Sequence, residues 1–108
     1  MKSITFLGDT LKRLRDFPES AKLDTGRELE RVQRGVDPVD WKPMPTVGKG
    51  VREIRVSEKE GAFRVVYVAS IGDDIYVLHA FQKKTQKTAK RELDLVTLRY
   101  KLIGGISK

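Results

Sequence analysis

The stretch Val51–Arg91 reads VREIRVSEKEGAFRVVYVASIGDDIYVLHAFQKKTQKTAKR, and it decides the fold. It contains three runs rich in β-branched and aromatic residues, separated by turn signals at Glu60-Gly61 and Gly72-Asp73-Asp74. Strand-forming runs joined by short turns predict consecutive hairpins, and therefore an antiparallel three-strand meander. The second and third runs are apolar on both faces, which is typical of central strands.

The segment before the meander predicts one short strand and two helices. Ile4–Leu7 has the composition of a strand, and Asp9 or Thr10 can cap the helix that follows it. A charged, helix-favouring run predicts a second helix over Glu19–Arg34. The proline- and glycine-rich stretch Val36–Gly50 is expected to be irregular, with its tryptophan packed over the edge of the core.

The segment after the meander predicts a last helix with an unusually wide apolar surface. Thr88 is its expected N-cap, and Gly104-Gly105 its expected end. One apolar stripe consists of Leu93, Val96, Tyr100 and Ile103, and it is widened by Leu95, Leu98 and Leu102. This width indicates a helix buried against the sheet or against a partner.

Together these elements predict one α+β domain over residues 1–108. Its antiparallel sheet combines the short N-terminal strand with the three-strand meander, and two N-terminal helices and a C-terminal helix pack against that sheet.

The composition points to an anionic partner. The chain has 22 lysines and arginines against 15 acidic residues, a formal charge of +7, so nucleic acid, an acidic protein or an anionic surface is expected. The absence of cysteine excludes a disulfide scaffold and fits a reducing, cytoplasmic compartment. No run approaches the roughly 20 apolar residues of a membrane span, so no membrane partner is expected.

Charged side chains interrupt the predicted strands. Arg64 lies in a central strand, where partial desolvation requires an anionic partner or an open groove. Glu53 and Arg55 share one face of the neighbouring strand, opposite the face that carries Arg52. The alternative is an internal salt bridge between Glu53 and Arg64 or Arg55, which would only satisfy the sheet.

A basic run follows the third strand. Five of the nine residues from Lys83 to Arg91 are cations: Lys83, Lys84, Lys87, Lys90 and Arg91. Cations at a helix start oppose the helix dipole, so their clustering favours an external phosphate over a merely solvated helix start.

The sequence offers little for a metal or a redox cofactor. His79 is the only histidine and lies inside an apolar strand, so we expect a packed core residue. Without a second histidine or any cysteine, a soft-ligand metal site is not expected, and no cofactor motif is present.

Four segments resemble the RelE/ParE toxin superfamily, specifically its phage-derived, HigB-like branch. They are Asp40–Met44 (DWKPM), Val47–Arg55 (VGKGVREIR), Phe63–Val68 (FRVVYV) and Val77–Thr85 (VLHAFQKKT). The resemblance implies a RelE-like fold and the toxin of a type II toxin–antitoxin system. Its partners would be a cognate helix-turn-helix, HigA-like antitoxin, the ribosome and mRNA, with operator DNA contacted only through the antitoxin complex.

The resemblance also implies a reaction, a ribosome-dependent and metal-independent mRNA endonuclease (an mRNA interferase). The 2′-hydroxyl of the RNA attacks the adjacent phosphate, which requires a base, cations for the phosphorane charge, and an acid for the leaving oxygen. By position in the family, Arg64 would stabilise the phosphate, and Lys83 or Lys84 would be a further catalytic side chain.

The remaining roles follow from the same resemblance. Glu53 is the candidate general base, with Arg55 beside it to orient it or to bind phosphate. The RNA backbone would be held by Arg52, Lys87, Lys90 and Arg91. Some relatives have a catalytic tyrosine or histidine near the C-terminus, whereas here the one candidate, Tyr100, falls on the core stripe.

Two other functions fit the same resemblance. ParE-like members inhibit gyrase and do not cut RNA. A degenerate toxin would act only as a binding module that pairs with an antitoxin on operator DNA. The basic surface serves all three functions, so charge does not separate them.

Overall fold

A computed structural model of the chain describes residues 1–71, 73–84 and 88–106, without the side chains of residues 70, 71, 105 and 106. The elements in chain order are β1 (Ser3–Phe6), α1 (Thr10–Arg15), α2 (Glu19–Gln33), β2 (Trp41–Pro43), β3 (Val51–Glu58), β4 (Gly61–Ile71), β5 (Asp74–Lys83) and α3 (Lys90–Ile106).

The strands form one five-stranded sheet in the order β1-β5-β4-β3-β2. The predicted meander is confirmed, because β3, β4 and β5 pair antiparallel in sequence order. The prediction of an entirely antiparallel sheet is wrong, because β1 runs parallel to β5 along its free edge and makes the sheet mixed. A four-residue strand carries no sequence signal for its direction, since alternation along the chain is the same either way.

A fifth strand, β2, lies in the stretch predicted to be irregular. Trp41, Lys42 and Pro43 pair with Ile54, Glu53 and Arg52 at the other edge of the sheet. Proline cannot donate a ladder hydrogen bond, but an edge strand tolerates it. The Arg52 guanidinium lies 3.9 Å from the centre of the Trp41 ring, which anchors this short strand by a cation–π contact.

Each face of the sheet has its own apolar core, which explains why the central strands are apolar on both sides. The face toward α2, here called the α2 face, buries Leu14, Phe17, Ala21, Leu29, Val32, Ile54, Val56, Phe63, Val65, Tyr67, Ile75, Val77 and Ala80. The opposite face, here called the α3 face, buries Met44, Val51, Val66, Val68, Tyr76, Leu78, Phe81, Val96 and Ile103. The predicted α3 stripe is therefore confirmed, with Leu93 and Tyr100 packed at its margin.

A β-bulge interrupts the pairing of β4 with β5. Val66 pairs with His79 and Tyr67 with Val77, so Leu78 has no partner residue on β4. The Leu78 carbonyl instead accepts hydrogen bonds from Arg99 of α3 at 2.8 Å and from Thr10 of α1 at 3.2 Å. The bulge thereby connects the sheet to both helices.

The helix ends differ from the predictions in detail. Asp9 occupies the N-cap of α1, but its side chain makes no capping hydrogen bond and binds Arg13 and Arg99 instead. Thr88 lies two residues before α3, and its hydroxyl donates to Glu53. The expected end at Gly104-Gly105 is wrong, because α3 continues to Ile106.

Within the described residues, no helix combines the length and apolar character that crossing a membrane requires.

Candidate active site

The strand register brings polar residues into adjoining rows on the α3 face. One row crosses four strands through Lys42, Glu53, Val66 and His79. The next row crosses three strands through Arg55, Arg64 and Phe81. The predicted residues Glu53, Arg55 and Arg64, which are up to eleven positions apart in sequence, are therefore neighbours in space.

Glu53 and Arg64 form the buried centre of these rows. Glu53 is fully buried and Arg64 is 8% exposed, and the Oε1 atom of Glu53 lies 3.8 Å from Nε of Arg64. The other carboxylate oxygen accepts a hydrogen bond from the Thr88 hydroxyl at 3.3 Å, and the Lys42 ammonium lies 3.9 Å from Oε1. The salt bridge left open by the sequence is thus present, although it is too long for a hydrogen bond.

Two arginines occupy directly opposed positions in the second row. Arg55 pairs with Arg64 across β3 and β4, and like charges in opposed positions repel. Asp40 compensates Arg55 through a 3.1 Å ion pair, and Glu53 compensates Arg64. Burial lowers the pKa of Arg64, and the Glu53 carboxylate partly opposes that shift. An arginine stays protonated in a protein, so the site carries a fixed, poorly solvated cation.

Three buried polar atoms on this face lack a hydrogen-bond partner within the described part of the chain. They are Oε1 of Glu53, Nε of Arg64 and Nδ1 of His79. An unpaired buried polar group costs about 1–3 kcal/mol, so folding stability alone does not account for three of them on neighbouring strands. Such groups concentrate where a protein keeps polar capacity for a function.

His79 and Glu92 form a second polar pair beside the first. The fully buried His79 ring makes a 3.1 Å hydrogen bond through Nε2 to Oε2 of Glu92, near the start of α3. Burial lowers the pKa of His79, although Glu92 raises it in part. A neutral imidazole can donate its Nε2 hydrogen to the carboxylate, so this hydrogen bond fixes the tautomer and orients Glu92.

A groove opens next to these pairs. It encloses about 580 Å³ between α1, the end of β5 and the start of α3, and its lining includes Lys84, Arg91, Glu92 and Phe81. A smaller pocket of about 80 Å³ continues it past Lys83. Phe81 pairs with Arg64 across the strands, so the groove runs beside the buried arginine.

The other predicted RNA-binding residues lie in different surroundings. Lys90 is 88% exposed and forms an ion pair with Asp94 on α3. Arg52 lies on the α2 face, where it binds Asp37 at 2.7 Å and stacks on Trp41, so it does not join the other cations. Lys87 lies outside the described residues.

Glu92 is the polar residue of this site that sequence reasoning missed. Its sequence signal is faint, because it is the first carboxylate after the basic run that begins at Lys83. Its pairing with His79 depends on how α3 docks on the sheet, which no local pattern predicts. His79 itself is buried, as expected, but its ring supports a groove-lining carboxylate.

The site has the parts for binding an anion and moving a proton, without an evident metal centre. Among the described residues, no group of three or more histidine or acidic side chains is arranged to hold a metal ion. Cations line the groove beside one half-shielded carboxylate, whose side chain is 17% exposed. Such an arrangement suits a phosphate-containing ligand with an ionisable hydroxyl.

Comparison with known proteins gives a family match and a fold match. The model of a family described as "Phage derived protein Gp49-like (DUF891)" matches residues 12–101. No curated protein matches the chain. The crystal structure of the isolated E. coli RelE toxin aligns over 98% of this chain and 99% of its own, with a TM-score of 0.57 and 12% identity. At this identity the likeness shows that the two share a fold.

Proposed function

We propose that this chain, which belongs to the phage-derived Gp49-like family, is a HigB-like toxin of a type II toxin–antitoxin system that cleaves ribosome-bound mRNA. The observation that carries the proposal is the Glu53–Arg64 pair, a nearly buried guanidinium with an unpaired Nε beside a cationic groove. The shared fold with the RelE toxin supports it.

The proposed chemistry needs cations at the scissile phosphate. Arg64 would stabilise the charge of the phosphorane, and Lys83 or Lys84 would contact the phosphate oxygens from the groove. Arg55 and Glu53 would be positioning residues, since Arg55 is paired with Asp40 and Glu53 has no exposed surface. Arg91, whose side chain is 86% exposed, and Lys90 would hold the RNA backbone at the rim.

The base in this proposal is Glu92, in place of Glu53. A general base must reach the proton that it removes, and Glu92 lines the groove whereas Glu53 is fully buried. Glu92 would take the proton of the 2′-hydroxyl while the 2′-oxygen bonds to phosphorus. The bond from phosphorus to the 5′-oxygen then breaks, and a lysine ammonium gives that oxygen a proton. The products are a 2′,3′-cyclic phosphate and a 5′-hydroxyl, and no metal ion takes part.

The proposed partners are the ribosome and mRNA for the free toxin, and a cognate HigA-like antitoxin in the inactive complex. Operator DNA would be contacted through that complex, in the cytoplasm. Because the antitoxin and the RNA would both meet this basic domain, their binding is expected to weaken as salt concentration rises.

The proposal is tested by inducing variants in bacteria and measuring growth together with cleavage of ribosome-bound message. Arg64→Ala with Lys83→Ala should relieve growth arrest, because losing one charge-stabilising donor typically costs roughly 10²–10³-fold in rate. Lys83→Ala alone and Glu92→Gln should each reduce cleavage while the fold, checked by circular dichroism, is retained. Arg27→Ala with Lys22→Ala on α2 is the control, because both residues form only surface ion pairs. Undiminished toxicity of the double variant would refute the site.

A binding-only role is the second candidate, and the burial of Arg64 favours it. A guanidinium that is 8% exposed meets an external phosphate only if the start of α3 or the neighbouring side chains shift. Under this alternative, the wild-type chain forms an antitoxin complex, and its induction leaves growth and mRNA unchanged.

A further inference from the structure

Helix α3 carries a second apolar stripe that its own fold does not bury. Leu98 is 57% exposed and Leu102 is 58% exposed, while Leu95 is partly buried beside the groove. Their spacing continues the line of Arg91, so all four side chains project from one side of the helix. The core of the α3 face uses Val96 and Ile103 on a different side of the helix.

The position of these leucines distinguishes them from isolated exposed residues. Single exposed leucines are common on soluble proteins, whereas an aligned set that adjoins a concave surface is typical of an interaction site. Leu95 lines the groove of about 580 Å³, so the stripe continues into it. The groove gives the stripe a second wall, formed by α1.

The charges around the stripe are mainly positive. Arg91 is 86% exposed at its start, and the exposed Lys101 lies beside it. Asp94 is the acidic neighbour, and it is already paired with Lys90 at 3.1 Å. Across the groove, Arg13 of α1 lines the opposite wall, in a 2.8 Å pair with Asp9.

We propose that the line Leu95, Leu98 and Leu102, with its cationic margins, docks an acidic amphipathic helix from a partner protein. Recognition of this kind uses apolar anchors on one face of the partner helix, spaced by three and four residues, and complementary charges beside them. Glutamates beside the leucines of the partner would meet Arg91 and Lys101.

A second copy of this chain fits the stripe less well. A two-fold interface would bring each stripe against its own image, so that Arg91 and Lys101 would face the same cations. Two half-exposed leucines also supply far less than the roughly 800 Å² per partner that a stable interface buries. A partner helix must therefore extend from the stripe into the groove.

This inference deepens the proposed function, on which it rests for the identity of the partner. In a toxin–antitoxin pair the antitoxin is the source of such a segment. A helix seated along Leu95 and Arg91 would cover the groove that contains Lys84 and Glu92, and so would exclude RNA from it. The binding surface itself does not depend on whether the chain cleaves RNA.

The test measures binding of a synthetic probe by fluorescence anisotropy. The probe is a labelled, hydrocarbon-stapled peptide of about 14 residues, four helical turns, with leucines on one face and glutamates elsewhere. We expect it to bind the full chain at least about tenfold more tightly than a twin with lysines in place of the glutamates. Leu98→Ser with Leu102→Ser should weaken binding by at least about tenfold.

The matched control is Leu23→Ser with Val39→Ser, since these two residues are 54% and 77% exposed outside α3. This control should bind the peptide like the wild type. The proposal is overturned if the glutamate and lysine peptides bind equally, if the Leu98/Leu102 variant binds normally, or if sedimentation shows that the stripe joins two copies of the chain. Peptide binding without any mRNA cleavage would instead refute the nuclease and leave the docking surface standing.

Discussion

At the scale of single residues, the site depends on buried polar pairs that lie side by side. Glu53 with Arg64 and His79 with Glu92 occupy neighbouring positions across the sheet, and each pair includes an atom without a partner among the described residues. Breaking a buried ion pair by removing one partner costs about 3–5 kcal/mol, because the other charge remains buried. Arg64 variants must therefore be checked for folding before any loss of activity is interpreted.

The titration of His79 gives a test of its burial. Burial lowers the pKa of His79 below its ordinary 6.5, so on acidification the unfolded chain protonates before the folded one. The free energy of unfolding should therefore decrease as pH falls below about 6.5, and the loss should level off below the folded-state pKa. Urea unfolding at pH 7.5 and pH 5.5 measures this difference.

The control for this experiment is His79→Gln. His79 is the only histidine, so the variant should lose most of the pH dependence over this interval. A wild-type stability that rises on acidification would show that Glu92 dominates and that the pKa of His79 is raised in the fold.

At the scale of elements, the strands of the meander could be predicted from sequence because period-two alternation and short turns are local signals. The same alternation put Glu53 and Arg55 on one face and Arg52 on the other, as observed. The direction of β1, the short strand β2 and the pairing of Glu92 with His79 depend on tertiary docking. Glycines at 104 and 105 signalled a helix end that the packing of Ile103 overrides.

The attachment of α3 has one main polar tether, Arg99. Its guanidinium donates to the Leu78 carbonyl at the bulge, to Thr10 at 3.1 Å and to Asp9 at 2.7 Å. A Cβ at Gly8, whose φ is +56°, would lie 2.5 Å from the Nη2 atom of Arg99, so glycine leaves room for this contact. The Arg99 and Arg13 hydrogen bonds lower the pKa of Asp9 to about 2.

Removing the Arg99 tether should destabilise the whole fold. Arg99→Leu leaves buried acceptors with fewer partners and is expected to cost about 1–3 kcal/mol in the free energy of unfolding. Arg27→Leu, on the exposed side of α2, is the control and should change it by less than about 0.5 kcal/mol. Equal urea midpoints for the two variants would mean that apolar packing alone holds α3.

At the scale of the whole molecule, one small domain divides its tasks between the two faces of its sheet. The α2 face is an apolar core closed by helices, and the α3 face combines a core with the polar rows and the groove. With a charge of +7, the domain is attracted to RNA and to acidic proteins alike. The exposed leucines of α3 give an acidic protein an additional apolar contact.

The central claim is that the chain cuts mRNA on the ribosome, and mapping of RNA 5′ ends after induction tests it most directly. Our account predicts new 5′-hydroxyl ends inside codons of translated messages, present with the wild-type chain and lost with Lys83→Ala and Arg64→Ala together. Intact message, accompanied by DNA-damage signalling or by normal growth, would contradict it and point to gyrase inhibition or to binding alone.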